Sequence, residues 1–211
     1  MALVGAVLAS IEAYARRSTL AAEFARKAAH VVIGLIAAAL PWFMPFREVG
    51  IVAVIFMPVM LTSRQQRWMP SIHGPERETW GELYFPLGIL LAALIAPNPE
   101  SFSFGVLVMT LSDAAAGIVG VRFGKRKLRL GPKFLRATKT LEGTTTFFAV
   151  TFVLALVFLI TSGQTGSTVA ASALVIALGL TYLEAVLGYG LDNLVLPLAG
   201  AVLIGIPLMV G

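Results

Sequence analysis

Long apolar runs alternate with short polar connections along almost the whole chain. The hydrocarbon core of a bilayer is about 30 Å thick and takes about 20 mostly apolar residues in a helix. The runs predict helices at 28–44, 49–63, 82–97, 102–121, 144–162, 167–187 and 193–210. Residues 2–15 are a short further candidate carrying Glu12, so residues 1–22 would hold a short span or an interfacial helix. The pattern predicts an all-α fold, a polytopic membrane helix bundle with seven or eight transmembrane helices, in a single domain over residues 1–211.

The composition agrees with this class and excludes several others. Hydrophobic residues make up 58% of the 211 residues and charged residues only 13%, whereas soluble domains carry about 25% charged residues. No cysteine is present, which excludes disulfides, thiolate metal sites and cysteine nucleophiles. The net charge of +5 could suggest a nucleic-acid partner. The positions of the basic residues favour a topological explanation instead, so we expect no nucleic acid.

Nearly all basic residues fall on one side of the predicted membrane. Of the 16 lysines and arginines, only Arg47 lies on the other side. The rest form three groups, at residues 16–27, 64–77 and 122–139. Because basic loops stay in the cytoplasm, we expect a multi-pass cell-membrane protein whose working surface faces the cytoplasm. No plastid transit peptide is evident, which favours a prokaryotic plasma membrane.

Carboxylates stand in or at the cytoplasmic ends of several predicted spans. They are Asp113, Glu142, Glu184 and Asp192, with Glu82 as a borderline case. A charged side chain inside a membrane costs about 2.5–3.5 kcal/mol on insertion scales, so such residues mark functional sites by default. We interpret the first four as candidate metal ligands.

Two of the motifs combine glycine or a helix start with basic residues. Asp113, Gly117, Gly120 and Gly124 share one helix face and lead to Arg122 and Lys125. Glycines on one face admit either a ligand or a neighbouring helix, and the carboxylate favours the ligand. The second motif is Lys139, Glu142, Gly143 and Thr144, at the start of a span. A helix N-terminus favours anions such as phosphate, although a basic loop also binds lipid headgroups. A divalent cation shared with phosphate would explain Glu142.

Further motifs fall on the same side of the membrane. Asp192 and Asn193 follow Glu184 after a glycine-containing break between two predicted helices. They offer oxygen ligands for Mg²⁺, and the alternative is that they cap the second helix. Arg26 and His30 share one helix face, although Arg26 could equally extend to the membrane interface. Glu82 opens a span, where an aromatic interface belt is the alternative. Arg26, His30, Glu82 and Asn193 could complete a cavity. Such a cavity suits phosphoryl or nucleotidyl transfer at the membrane surface.

The motifs together resemble the family of CTP-dependent polyprenol kinases, which includes dolichol, phytol and farnesol kinases and is related to phosphatidate cytidylyltransferases. The matching segments are Arg26-Lys27-x-x-His30, Gly81-Glu82-Leu-x-Phe85-Pro86-Leu-Gly88, Asp113-Ala-x-Ala-x-x-x-Gly120-x-Arg122-Phe-Gly124-Lys125, Lys139-Thr-Leu-Glu142-Gly143-Thr144 and Glu184-x(7)-Asp192-Asn193-Leu-x-x-Pro197-Leu. Their order and spacing fit from residue 23 onward, and the phytol and farnesol branch looks closest. The chain departs from the family at Ser112, where the family usually has glycine.

The resemblance implies transfer of the terminal phosphate of CTP to the hydroxyl of an isoprenoid alcohol, with Mg²⁺. Asp113 and Asp192 would hold the metal or activate the alcohol, and Glu142 and Glu184 would assist. The implied phosphate-binding residues are Lys139, Gly143 and Thr144, helped by Arg122, Lys125 and the glycines at 117, 120 and 124. Two alternatives stay open: a cytidylyltransferase that makes a CDP-lipid, and an ion-coupled transporter that uses Asp113 and Glu184.

Overall fold

The computed structural model describes residues 19–66, 80–130 and 139–210, and the candidate span at residues 2–15 lies outside this part. In the described part the helices are α1 Thr19–Ala39, α2 Phe46–Gln66, α3 Gly81–Ile95, α4 Pro99–Leu107, α5 Asp113–Phe123, α6 Leu141–Thr161, α7 Ser167–Val186 and α8 Asp192–Val210. A 3-10 turn at Leu40–Trp42 follows α1, and a π-turn at Val108–Ser112 joins α4 to α5. Each apolar run predicted at 28–210 is therefore covered by helix except for one or two residues at the end of some runs.

The predicted all-α class is confirmed and several helices suit a membrane by length and composition, whereas the number of spans stays a prediction. Within the described residues, the helices long and apolar enough to cross a membrane are Pro99–Phe123, Leu141–Thr161 and Ser167–Val186. Lys27–Trp42, Gly81–Ile95 and Asp192–Leu208 are apolar but shorter. Helix α2, which covers the predicted span at 49–63, is in neither set. The first of the three long helices includes the π-turn, so α4 and α5 form one continuous rod.

The loop after α5 contains a short ribbon that the apolar pattern did not predict. Strand β1, Lys127–Leu128, pairs antiparallel with β2, Lys139–Thr140, and Lys127 lies opposite Thr140. The ribbon ends directly before the first residue of α6. It therefore fixes where the lysine at position 139 stands relative to α6.

Helix α8 occupies the centre of the bundle. It packs against α3, α4 and α7, while α6 packs against α5 and α7. Phe102, Met109, Phe147 and Leu196 are fully buried between these helices. The outward faces carry exposed apolar side chains such as Val175, which is 67% exposed. Apolar residues both inside and outside are what a helix surrounded by lipid requires.

Glycines let the central helices approach one another closely. A Cβ added at Gly200 of α8 would lie 2.7 Å from the Cα of Gly105 in α4. A Cβ added at Gly88 of α3 would lie 3.0 Å from the Cγ of Pro197 in α8. Lipid gives helices little hydrophobic reason to associate, so small residues at such crossings make van der Waals contact possible.

We expect Gly200→Ala to separate α4 from α8 and to destabilise the protein by about 1–3 kcal/mol, the usual range for an overpacked core. Gly179→Ala is the matched control, because a Cβ at that helical glycine meets its nearest atom, the Cδ1 of Leu203, at an ordinary 3.7 Å. Thermal unfolding of the two purified variants in detergent measures the difference. Equal melting temperatures would contradict the importance of this crossing.

Candidate functional site

A cavity of about 340 Å³ lies where the first turns of α3, α6 and α8 meet the last turn of α7. The middle of α1 and most of α5 complete its wall. The predicted site residues that line it are His30, Asp113, Gly117, Gly120, Lys139, Gly143, Thr144, Glu184, Asp192 and Asn193. Folding thus brings together residues that are spread over most of the chain.

Other predicted residues lie outside the lining of this cavity. They are Glu82, Arg122, Gly124, Lys125 and Glu142. The Oε2 of Glu142 accepts a hydrogen bond from the backbone N–H of Arg126 at 3.4 Å, which joins the start of α6 to the basic loop. Arg26 belongs to α1, but its side chain is outside the described part. The functional roles of these residues stay predictions.

Lys139 forms the charged centre of the cavity. Its Nζ donates to the Oε1 of Glu184 at 2.6 Å and to the Oδ2 of Asp192 at 3.4 Å. The side chain of Glu184 is 3% exposed, and those of Lys139 and Asp192 are 17% and 16% exposed. An ion pair this well buried interacts strongly, because little water screens it.

The ion pairs fix the protonation state of Lys139. Burial alone would lower the pKa of its ammonium group, but the carboxylates of Asp192 and Glu184 more than offset burial and raise the pKa above the ordinary 10.5. A raised pKa means that the ammonium stabilises the fold at every pH below 10.5 and stops doing so only at more alkaline pH. Lys139 is therefore a permanent cation near neutral pH. It can attract phosphate but cannot accept a proton.

The turn between α7 and α8 is built to hold Asp192 at the cavity. Tyr189 and Gly190 have φ of 56° and 87°, the left-handed region that reverses the chain sharply. The Nδ2 of Asn193 donates to the carbonyl of Gly81 at 3.0 Å. The amide of Asn193 therefore ties the turn to the start of α3, and the contact is a structural use of a residue predicted to complete the cavity.

The glycine track on α5 lies against α6 and also lines the cavity. A Cβ on Gly143 of α6 would lie 2.8 Å from the carbonyl of Ala116 and 3.4 Å from the Cα of Gly120, so these residues let α5 and α6 approach. The Oγ1 of Thr140 caps α6 by accepting from the N–H of Gly143 at 3.2 Å. Gly117 differs in its neighbour, because a Cβ there would collide with the Nζ of Lys27 on α1.

Lys27 is a cavity residue that the sequence analysis missed. The sequence placed it only in the basic group at residues 16–27 and in the segment Arg26-Lys27-x-x-His30, without a site role, yet it lines the cavity and its ammonium lies against Gly117. The signal was the spacing to His30, since residues three apart on a helix share a face as well as those four apart. The cavity thus holds two lysines facing the carboxylates of α5, α7 and α8.

Two buried polar atoms of the lining have no hydrogen-bond partner among the described residues. They are the Oε2 of Glu184 and the Oγ1 of Thr144. A buried polar atom without a partner is costly, and such atoms in a native fold ask for an explanation. A ligand or bound cation in the cavity would satisfy both.

The donor set fits a magnesium ion only together with a ligand. Among the described residues, no three acidic or histidine side chains stand close enough to hold a metal by themselves. Mg²⁺, however, is commonly bound by one or two carboxylates, several waters and substrate phosphates. Asp113 and Asp192 both line the cavity and supply carboxylates of that kind.

Comparison with known proteins supports the resemblance seen in the motifs. The chain is 28% identical to a phytol kinase of Synechocystis sp. over 204 residues, which is 95% of this chain and 86% of that protein. An uncharacterized protein of Methanocaldococcus jannaschii is 34% identical over 68 residues, 32% of each chain. No family model and no solved structure matches. The similarity to a phytol kinase covers nearly the whole chain and confirms the resemblance to the phytol and polyprenol kinase family.

Proposed function

We propose that this protein is a membrane-embedded kinase that transfers the terminal phosphate of CTP to an isoprenoid alcohol, at a site that faces the cytoplasm. The observation that carries the proposal is Lys139, a buried cation held between Glu184 and Asp192 in a cavity at one end of the bundle. The similarity to a phytol kinase supplies the class of acceptor, and the family resemblance supplies the donor.

The cavity offers complementary groups for the two reactants. Lys27 and Lys139 supply positive charge for the phosphates of the nucleotide, and the free hydroxyl of Thr144 can donate a further hydrogen bond to them. Asp113 and Asp192 would hold Mg²⁺, which neutralises phosphate charge when it is bound. The apolar helices around the cavity would contact the hydrocarbon chain of a lipid alcohol while its reacting hydroxyl lies at the cavity.

The reaction needs positioning more than it needs covalent help from the protein. The hydroxyl oxygen of the alcohol bonds to the terminal phosphorus, and the bond from that phosphorus to the bridging oxygen breaks. The electron pair stays on the bridging oxygen, so CDP leaves, and the hydroxyl proton passes to solvent. Charge on the transferred group is spread over its oxygens, where fixed cations such as Lys139 and Lys27 stabilise it.

We expect label from CTP carrying a radioactive terminal phosphate to move into an isoprenoid alcohol and to leave CDP behind. The measurement uses purified protein in detergent with Mg²⁺, a panel of prenols and, in parallel, phosphatidic acid. Release of pyrophosphate with phosphatidic acid would instead identify a cytidylyltransferase. Ion flux in liposomes without turnover of any lipid would identify a transporter, and either result would overturn the kinase.

We expect Lys139→Met to lower turnover by about 100-fold or more, the scale for losing one charge-stabilising group in a transition state. It should also destabilise the fold by about 3–5 kcal/mol, because Glu184 is left as a buried charge without a partner. The double variant Lys139→Met, Glu184→Gln removes that stranded charge. It should regain much of the melting temperature without regaining turnover.

The two variants separate loss of structure from loss of catalysis. Turnover and thermal unfolding are measured on the same preparations in detergent. If turnover in Lys139→Met equals that of the unmodified protein, the assignment of Lys139 is wrong. If turnover returns together with stability in the double variant, the lysine serves only the fold.

A further inference from the structure

The helix that carries Asp113 changes its hydrogen bonding directly before that residue. Over Val108–Ser112 the backbone forms a π-turn, in which the N–H of Asp113 bonds to the carbonyl of Val108 instead of that of Met109. A π-turn contains one residue more than an α-helical turn. Since each α-helical residue advances by about 100°, the π-turn changes the face on which every following residue stands. The direction of Asp113 and Gly117 therefore depends on this π-turn.

Neighbouring helices bond to the π-turn from two sides. The Nε2 of His30, on α1, lies 3.3 Å from the carbonyl oxygen of Met109, which is the carbonyl that the shifted bond bypasses. A carbonyl can only accept, so Nε2 is the donor. From α6, the hydroxyl of Thr151 donates to the Oγ of Ser112 at 2.9 Å.

The bond between Thr151 and Ser112 is out of reach of any substrate. Both residues are 0% exposed, and neither lines the cavity. Two hydroxyls in an apolar core are stable only while they bond to each other, because a buried hydroxyl without a partner costs free energy that an apolar side chain does not. Their contact joins the turn before Asp113 to α6, the helix whose first turn brings Gly143 and Thr144 to the cavity.

We propose that the hydrogen bond from Thr151 to Ser112 is a positioning contact, which fixes the π-turn and thereby the carboxylate of Asp113 relative to the phosphate-binding start of α6. The inference rests on the proposed function and concerns the same cavity.

Four variants test the contact: Thr151→Val, Ser112→Ala, the two combined, and Thr151→Ser. We expect each of the first two to lower kcat about tenfold, since small misplacements of reacting groups have large effects on rate. KM for CTP should stay within twofold, because Lys27 and Lys139 are untouched. Thr151→Ser keeps the hydroxyl and should keep kcat within twofold.

The combined variant distinguishes positioning from stability. Replacing both hydroxyls leaves neither hydroxyl buried without its partner, so the melting temperature should return towards that of the unmodified protein. Its kcat should stay about tenfold low, no lower than in either single variant, because the same bond is lost each time. The measurements are steady-state prenol phosphorylation and thermal unfolding in detergent.

Three results would overturn the inference. The first is an unchanged kcat in both Thr151→Val and Ser112→Ala. The second is a kcat that follows the melting temperature through the whole series, which would make the bond purely structural. The third is the absence of any nucleotide turnover by the unmodified protein, which would overturn the proposed function as well. An active unmodified protein with unaffected variants removes the positioning role alone and leaves the kinase standing.

Discussion

The buried ion pairs of Lys139 hold together the end of the bundle that carries the cavity. The lysine lies 45 residues before Glu184 and 53 residues before Asp192 in the chain, so its ammonium joins β2 to the end of α7 and the start of α8. Without it, the carboxylates of Glu184 and Asp192 would lie near each other as like charges with little water to screen their repulsion. The sharp turn at Tyr189 and Gly190 is what brings both acids to the same cation.

The second constraint is how closely the helices around this charge can approach. Lys27 reaches the cavity because Gly117 has no side chain to block its ammonium, and α5 reaches α6 because Gly120 faces Gly143. These contacts depend on backbone atoms coming nearly into van der Waals contact. Such packing replaces the hydrophobic driving force that lipid does not provide. The charge cluster and the glycine contacts therefore support one another.

Much of this arrangement could be predicted from the sequence, and the parts that could not have physical reasons. Apolar run length placed 144–162 and 167–187 within three residues of the helices that the structure shows, because lipid thickness sets the length of a span. Carboxylates in apolar runs pointed to the cavity, because burying charge is costly. The direction in which each side chain points was harder to predict. Neighbouring residues on a helix differ by about 100° in direction, and the sequence does not say which direction leads to the cavity. It therefore could not show that Lys27 lines the cavity, or whether Glu142 belongs to the cavity or to the loop.

Under the proposed function, the balance of charges explains why metal and nucleotide would bind together. Lys27 and Lys139 line the same cavity as the carboxylates of Asp113, Glu184 and Asp192, so the cavity holds two basic and three acidic side chains. A bare triphosphate would meet the three acids, and a bare cation would meet the two lysines. A magnesium nucleotide carries both signs, and each can face its complement in the cavity. A cavity with only lysines would bind any phosphate, whereas one with opposed charges selects a ligand whose own charges are arranged to match.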